Sequence, residues 1–191
     1  MRSVKGTMTE KNLLASFAGE SQARNRYTYF AKVAKKEGYE AISAIFLETA
    51  ENEREHAKVF FKYLEGGMVE ITATYPAGVI GTTVENLKAA AAGEREEHTV
   101  LYPEAARVAD EEGFCEIAAS FRMIAKVEAE HEARYNALVE ELEGIGFFRK
   151  EKSTLWKCRN CGYIVEGFEP PETCPACKHP RAYFEPLARN Y

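Results

Sequence analysis

No stretch of the 191 residues approaches the ~18 consecutive apolar residues that a membrane-spanning helix needs, so no membrane partner is expected. No apolar segment follows the charges of residues 1–12, so a secretory leader is not expected and a cytoplasmic location is. There is no basic stripe. Lys and Arg total 25 against 30 Asp and Glu, a formal net charge of −5, which gives no reason to expect nucleic acid. Cysteine is scarce and unevenly placed. Of five, four fall between 158 and 177, and such clustering in a chain without a leader favours metal over a disulfide framework. What remains is the composition of a soluble globular protein, 46% hydrophobic and 29% charged. Its length suits one domain of usual size and a small appendage.

From Thr9 to about Gly144 the chain is rich in Ala, Glu, Lys, Arg and Leu and reads as helix. Past about Lys152, Cys, Pro, aromatics and turn signals take over. The expected division is 1–148 for a helical bundle and 149–191 for a small β-rich domain, after the break at Gly144-Ile145-Gly146. The helical part repeats. Residues 31–42 match 106–117 at an offset of 75, which pairs Tyr27 with Tyr102, Gly38 with Gly113, Glu53 with Glu128 and His56 with His131. Glu20 pairs with Glu94 one residue out of step. Only two copies exist, so this is a duplicated helical hairpin, not a solenoid. Helices are expected over 10–37, 39–65, 83–112 and 114–143, with Thr9 and Thr83 as candidate caps. The Gly- and Pro-containing stretch 66–82 reads as a crossover between hairpins. Pro103 is expected to kink the third helix or open a backbone site there.

The acids that matter lie on faces that should be core. Glu53 shares its helical face with Phe46, Ala50, Ala57 and Phe60; Glu128 shares its face with Phe121, Ile124, Tyr135 and Leu138. Glu20 and Glu94 have similar apolar flanks, and no matching set of Lys or Arg accompanies them. Buried carboxylates facing one another without cations are costly, and a bound metal pair removes that cost. Glu53-x-x-His56 and Glu128-x-x-His131 each place a carboxylate and an imidazole on one face. Counted from Gly38 and Gly113, the four acids fall within about 5 Å of one another in bundle depth. One Glu from each of two helices plus Glu-x-x-His from each of the others is the known donor set of ferritin-like di-iron and di-manganese bundles. Glu97, three residues after Glu94, is an additional carboxylate where the first hairpin has Ala23. Tyr27 and Tyr102 are candidates to hydrogen-bond the ligand carboxylates. His98 has no counterpart in the repeat and reads as surface or structural, and Cys115 as a plain thiol.

The tail carries Cys158-x-x-Cys161 and Cys174-x-x-Cys177 separated by twelve residues, the spacing of a tetrathiolate metal site. A module of this size needs its metal to fold. Trp156, Tyr163, Phe168, Tyr183 and Phe184 are its candidate core. His179 is superfluous as a ligand. Zinc would make the module an inert ribbon and iron a one-electron carrier; attachment to a bundle with a metal pair favours iron.

These motifs together, Gly19-Glu20-Ser21-Gln22-Ala23-Arg24, Glu53-x-x-His56, Glu94-x-x-Glu97, Glu128-x-x-His131 and the paired CxxC tail, resemble the rubrerythrin family over essentially the whole chain. The resemblance implies a ferritin-like four-helix bundle followed by a rubredoxin-like domain. It implies Glu20, Glu53, Glu94, Glu97, Glu128 and His131 as ligands of two irons, which an oxo or hydroxo group can bridge, with Glu53 and Glu128 spanning the pair. His56 would be taken up on reduction as one iron leaves Glu97, which makes Glu97 and His56 the catalytic residues. One further iron would sit on Cys158, Cys161, Cys174 and Cys177. The implied activity is a peroxidase that reduces hydrogen peroxide to water as protection against oxidative stress. The implied partners are an electron donor such as rubredoxin or an NADH-dependent reductase, and a second copy in a homodimer. Lys178 departs from free-standing rubredoxins, which usually carry Gly there and a longer loop between the pairs.

The exchange of Glu97 for His56 has a charge rationale. Five carboxylates against two ferrous ions leave an excess negative charge, and replacing one by neutral imidazole balances it. The competing reading is a ferroxidase or iron-handling protein with the same bundle ligands. A donor-fed tail argues for turnover, which storage does not need.

Overall fold

The structure is a computed structural model, and it describes residues 2–189. Helix α1 (Met8–Lys36) starts at Thr7, whose side chain accepts from the Glu10 amide, and α3 (Thr83–Glu96) starts at Thr82 in a full capping box with Glu85. Both caps lie upstream of the expected Thr9 and Thr83. Those two threonines have a different task. Thr9 donates its amide and hydroxyl to Glu112, in the turn of the second hairpin, and the Thr83 amide donates to Glu37, in the turn of the first. Each hairpin thus ties down the start of the other, as the repeat would require of a pseudo-symmetric pair.

Helix α2 (Glu40–Lys62) follows α1 across Gly38, and α5 (Cys115–Glu143) follows α4 (Tyr102–Glu111) across Gly113. Both glycines have positive φ, +89° and +83°. In each turn the glycine amide and the amide after it bond back to the last helical turn: Gly38 to Lys35 and Tyr39 to Ala34, Gly113 to Asp110 and Phe114 to Ala109. This paired pattern closes a helix on a left-handed residue, a role that glycine fills without strain.

The third helix is not continuous. A π turn at Glu97–Leu101 separates α3 from α4, and the Tyr102 amide bonds to the Glu97 carbonyl five residues back. Pro103, with no amide to offer, follows at once, so the sequence expectation of a disturbed backbone falls one turn earlier than the proline itself. Residues 63–82 cross between hairpins with no helix or strand. The crossover lies on α1, where the Tyr75 hydroxyl donates to the Ala15 carbonyl at 2.6 Å.

Two apolar clusters fill the bundle. One contains Tyr27, Phe30, Phe46, Leu87 and Tyr135; the other contains Leu13, Phe60, Tyr102, Ile117 and Phe121. On every ligand-bearing helix the acid falls between them in sequence, so Glu20, Glu53, Glu94 and Glu128 form a polar layer sandwiched by hydrocarbon. All four are at most 1% exposed.

After α5 the chain forms a three-stranded antiparallel sheet in the order β2-β1-β3, from β1 (Thr154–Cys158), β2 (Ile164–Gly167) and β3 (Phe184–Pro186). Its fully buried side chains are Trp156, Cys158, Cys174 and Phe184. Tyr163 and Tyr183 pack at the edge, whereas Phe168, expected in this core, is 59% exposed. The tail rests on the Gly38 end of the bundle, where a Cβ on Gly38 would lie 3.8 Å from the Ala182 Cβ. No helix of the described residues is long and apolar enough to cross a membrane.

Candidate metal centres

In the polar layer the side chains converge in two overlapping groups. Glu20, Glu53, His56 and Glu128 bring donor atoms within 4.8 Å of one another, and so do Glu53, Glu94, Glu128 and His131. Glu53 and Glu128 belong to both, so they stand between the two centres. His131 Nδ1 lies 2.8 Å from Glu128 Oε2, 3.3 Å from Glu53 Oε1 and 3.7 Å from Glu94 Oε2. His56 Nδ1 lies 2.9 Å from both Glu53 Oε2 and Glu128 Oε1, and 3.8 Å from Glu20 Oε2. Glu97 belongs to neither group and instead lines a cavity beside the layer.

The donors point at common centres more than at one another. Glu20 Oε2, Glu53 Oε1, Glu94 Oε2, both Glu128 oxygens and His131 Nδ1 are buried without a hydrogen bond of acceptable geometry. Orphaned buried acceptors in this number are the signature of a cation site. The other oxygens of Glu20 and Glu94 are satisfied. The Tyr27 hydroxyl donates to Glu94 Oε1 at 2.5 Å, and the Tyr102 hydroxyl donates to Glu20 Oε1. Tyrosine and acid are exchanged between the two halves of the repeat, so each hairpin orients a ligand of the other. His131 Nε2 contacts Asn52 Oδ1 at 3.3 Å, which orients the ring. Asn52 had no signal in the sequence beyond its position before Glu53. His98, read as surface or structural, bonds Glu132 Oε2 at 2.6 Å through Nε2 and ties the π turn to α5.

Electrostatics follow from this crowding. Burial, then the charges of Glu97, Glu53 and Glu128, push Glu20 well above the usual carboxylate range. Burial, then Glu94, Glu128 and Glu53, does the same to Glu97. Burial raises Glu94 to about 7. Burial also works against the charged form of Glu53, but contacts with His131 and His56 outweigh it and hold that carboxyl low. The histidines go the other way. Burial disfavours their charge, yet the close carboxylates raise His56 to about 9 and His131 to about 12. Protons are thus held wherever a dication would otherwise supply charge.

In the tail, Cys158, Cys161, Cys174 and Cys177 place their sulfurs within 4.8 Å of one another. Cys158–Cys177 and Cys161–Cys174 are each 3.7 Å apart. That is far beyond a disulfide's ~2.05 Å. It matches the ~3.8 Å edge of a tetrahedron with ~2.3 Å metal–sulfur bonds. The two knuckles are built alike. The Cys158 carbonyl accepts from the Gly162 amide and its own amide donates to Tyr163, while Cys174 pairs in the same way with Lys178 and His179. Gly162 and Lys178 both have positive φ, +78° and +62°. Lys178 therefore occupies a glycine position while keeping the glycine hydrogen bond. Lys178→Gly is expected to stabilise the metal-loaded tail by up to about 1 kcal/mol, read as slower loss of metal to a chelator. Faster loss would mean that the contact of Lys178 Nζ with the Pro175 carbonyl outweighs the backbone strain. The amide of His179 hydrogen-bonds the Cys177 sulfur and lowers that thiol to about 6, the direction that favours a thiolate ligand.

A four-helix bundle with a layered carboxylate–histidine pair site, joined to a four-thiolate module, defines a two-centre metalloprotein of the ferritin-like class. Comparison with known proteins narrows this. The rubrerythrin family model matches residues 11–139, and the model for the rubrerythrin rubredoxin-like domain matches residues 156–185. The chain is 63% identical to a rubrerythrin of Porphyromonas gingivalis over 190 residues, covering all of this chain and 95% of that one. It is 55% identical to a rubrerythrin of Nitratidesulfovibrio vulgaris, with both chains fully covered. A solved structure of nigerythrin in a mixed-valence state aligns with a TM-score of 0.63 at 31% identity, over 97% of this chain and 92% of that one. A bacterioferritin of Mycobacterium tuberculosis aligns with the same TM-score at 19% identity, over 73% and 88%, and shares the fold. The chain belongs to the rubrerythrin family, a family of iron-dependent oxidoreductases. Its bundle and tail clusters match that family's iron cofactors, two irons in the bundle and one on the four cysteines.

Proposed function

We propose that this protein reduces hydrogen peroxide to water in the cytoplasm as a defence against oxidative stress. Residues 1–148 form the reacting unit and residues 149–191 the unit that feeds it electrons. The observation that carries this reading is the pairing, in one chain, of a carboxylate–histidine two-metal layer with a four-thiolate cluster. A ferrous pair supplies the two electrons that O–O cleavage needs, and a tetrathiolate iron passes electrons singly. The net reaction is H2O2 + 2 e− + 2 H+ → 2 H2O.

The chain's own residues do the rest. Glu20, Glu53, Glu94, Glu97, Glu128 and His131 would hold the metal pair, with Glu53 and Glu128 shared between the two positions, and His56 would take the place of Glu97 in the reduced form. Tyr27 and Tyr102 donate to ligand carboxylates and fix their orientation as charge on the site changes. The apolar clusters on either side keep bulk water from the layer.

Electron delivery favours a homodimer. The tail packs at the Gly38 end of its own bundle, and Glu53 lies fifteen residues beyond Gly38 along α2, roughly 20 Å. Electron tunnelling weakens steeply over such lengths. A head-to-tail pair brings the tail of one copy to the ligand layer of the other, and rubredoxin or an NADH-linked reductase reloads the tail.

The test is to reduce the iron-loaded protein without air and add one equivalent of hydrogen peroxide. Rapid return of the visible ferric-thiolate absorption is expected. Slow return with peroxide but fast return with oxygen would overturn the peroxidase and point to iron oxidation.

A further inference from the structure

The two halves of the repeat differ in charge at two places near the site, and both differences meet in one cavity. Glu97 is the first. The second is Arg26, whose counterparts at the repeat's two offsets are Val100 and Leu101. A cavity of about 470 Å³ lies between α1, the π turn and the crossover, and Arg26, Gln22, Gly93, Glu97, Tyr75 and Tyr102 all line it. Arg26 is the one cation on that lining. Its Nε donates to Gln22 Oε1 at 2.7 Å, and its guanidinium lies 5.7 Å from the centre of the Tyr27 ring. Among the described residues no carboxylate forms an ion pair with it. A Cβ on Gly93 would come 3.6 Å from Arg26 Nη2, so the guanidinium lies in contact range of α3 one turn before Glu97.

We propose that Arg26 is a positioning residue that receives the Glu97 carboxylate when it is not a metal ligand. The proposal rests on the ligand exchange described under the proposed function. A carboxylate displaced from a metal in a half-buried site needs another cation or must take up a proton. Arg26 and Glu97 line the same cavity, and the guanidinium lies against Gly93 of α3, one helical turn from Glu97. Two other acids line the cavity, Glu96 and Glu104, but both are exposed to solvent, and Glu104 is already paired with Arg107. The π turn makes the arrangement feasible, because it begins at Glu97 and loosens the backbone that carries the moving side chain. Tyr27 lies under Arg26 while its hydroxyl holds Glu94, so the cation is anchored to a residue that also orients the site.

The experiment is a double-mutant cycle on the full-length iron-loaded protein, with Arg26→Gln and Glu97→Gln alone and together. The readout is the midpoint potential of the bundle irons by anaerobic spectroelectrochemistry. Arg26→Gln alone is expected to disfavour the reduced form about tenfold, which is ~59 mV downward per electron. In the Glu97→Gln background the same change is expected to shift the potential at most a few-fold. An equal shift in both backgrounds would mean that Arg26 acts on the irons directly, and no shift in either would mean that it does not act at all; both overturn the proposal. Arg26→Lys retains the charge and should recover most of the shift, which separates loss of charge from loss of packing. The potentials are measured without peroxide. A failed peroxide test with a positive cycle would therefore overturn the activity and leave the carboxylate receiver standing.

Discussion

Loading of the metal-stripped bundle with its two ferrous ions is expected to become about 100-fold more favourable overall, roughly tenfold per ion, for each unit rise in pH between roughly 6 and 8. The reason lies in the two histidines. At about 9 and about 12, His56 and His131 are both protonated across that range before metal enters. A histidine nitrogen cannot hold a proton and a metal at once, so loading expels at least two protons per site. Each proton displaced contributes a factor of ten per pH unit. Glu94, at about 7, adds to the count at the lower end. Proton release in weakly buffered solution with an indicator dye measures the number directly. Release of fewer than one proton would show that the histidines enter neutral, and the ligand set would need revision.

The same groups set the sign of stability in the stripped protein. Glu20, Glu94, Glu97, His56 and His131 all bind protons more tightly folded than their ordinary values of 4.5 and 6.5 imply. Their contribution is complete below the unfolded values. It is lost as pH climbs through the folded ones, from 4.5 to about 7 for Glu94 and from 6.5 to about 9 for His56. Glu53 is held low and acts in the opposite sense, but only in acid. Melting of the stripped bundle should therefore fall between about pH 5 and pH 9, and bound metal should remove the trend.

Much of this was legible in the residues because the duplication repeats each device. Two glycines at one offset fix two turns, and two Glu-x-x-His pairs on apolar faces leave few structural alternatives. The sequence is less informative where the halves differ. Nothing in a helical pattern distinguishes a kink at Pro103 from a π turn five residues long just before it, because both accommodate the amide that proline lacks. The caps moved to Thr7 and Thr82 because Thr9 and Thr83 are committed to Glu112 and Glu37 on the other hairpin, contacts with no local signature. Phe168 lies outside the tail core because the tetrathiolate and two aromatics already fill so small an interior. Asn52 and Arg26 were invisible for a related reason. Each acts on a ligand through space, and neither sits in a spacing that chemistry demands.

The tail should be the part of the molecule most dependent on its metal. Cys174→Ala is expected to abolish its fold while the bundle stays helical. Among the described residues the tail's buried cluster is Trp156, Cys158, Cys174 and Phe184, with Pro170 also buried, so two aromatic side chains and two metal-binding sulfurs make up most of its interior. Comparable structural zinc sites contribute about 10–16 kcal/mol of apparent binding energy at neutral pH, all of it folding energy when the apo module is unfolded. Losing one of four thiolates removes most of that and leaves a gap at the centre of the sheet. Trp156 is the chain's one tryptophan, and its indole donates to the Gly167 carbonyl across β1 and β2. Its fluorescence therefore reports the tail alone, whatever the bundle does. In Cys174→Ala the emission should shift to that of a solvated indole, with far-UV helical signal retained. The bundle's two clusters and its crossed threonine–glutamate ties contain no residue of the tail. If Trp156 stays buried in the variant, aromatic packing alone holds the sheet, and the metal in the tail serves electron transfer without being needed for the fold.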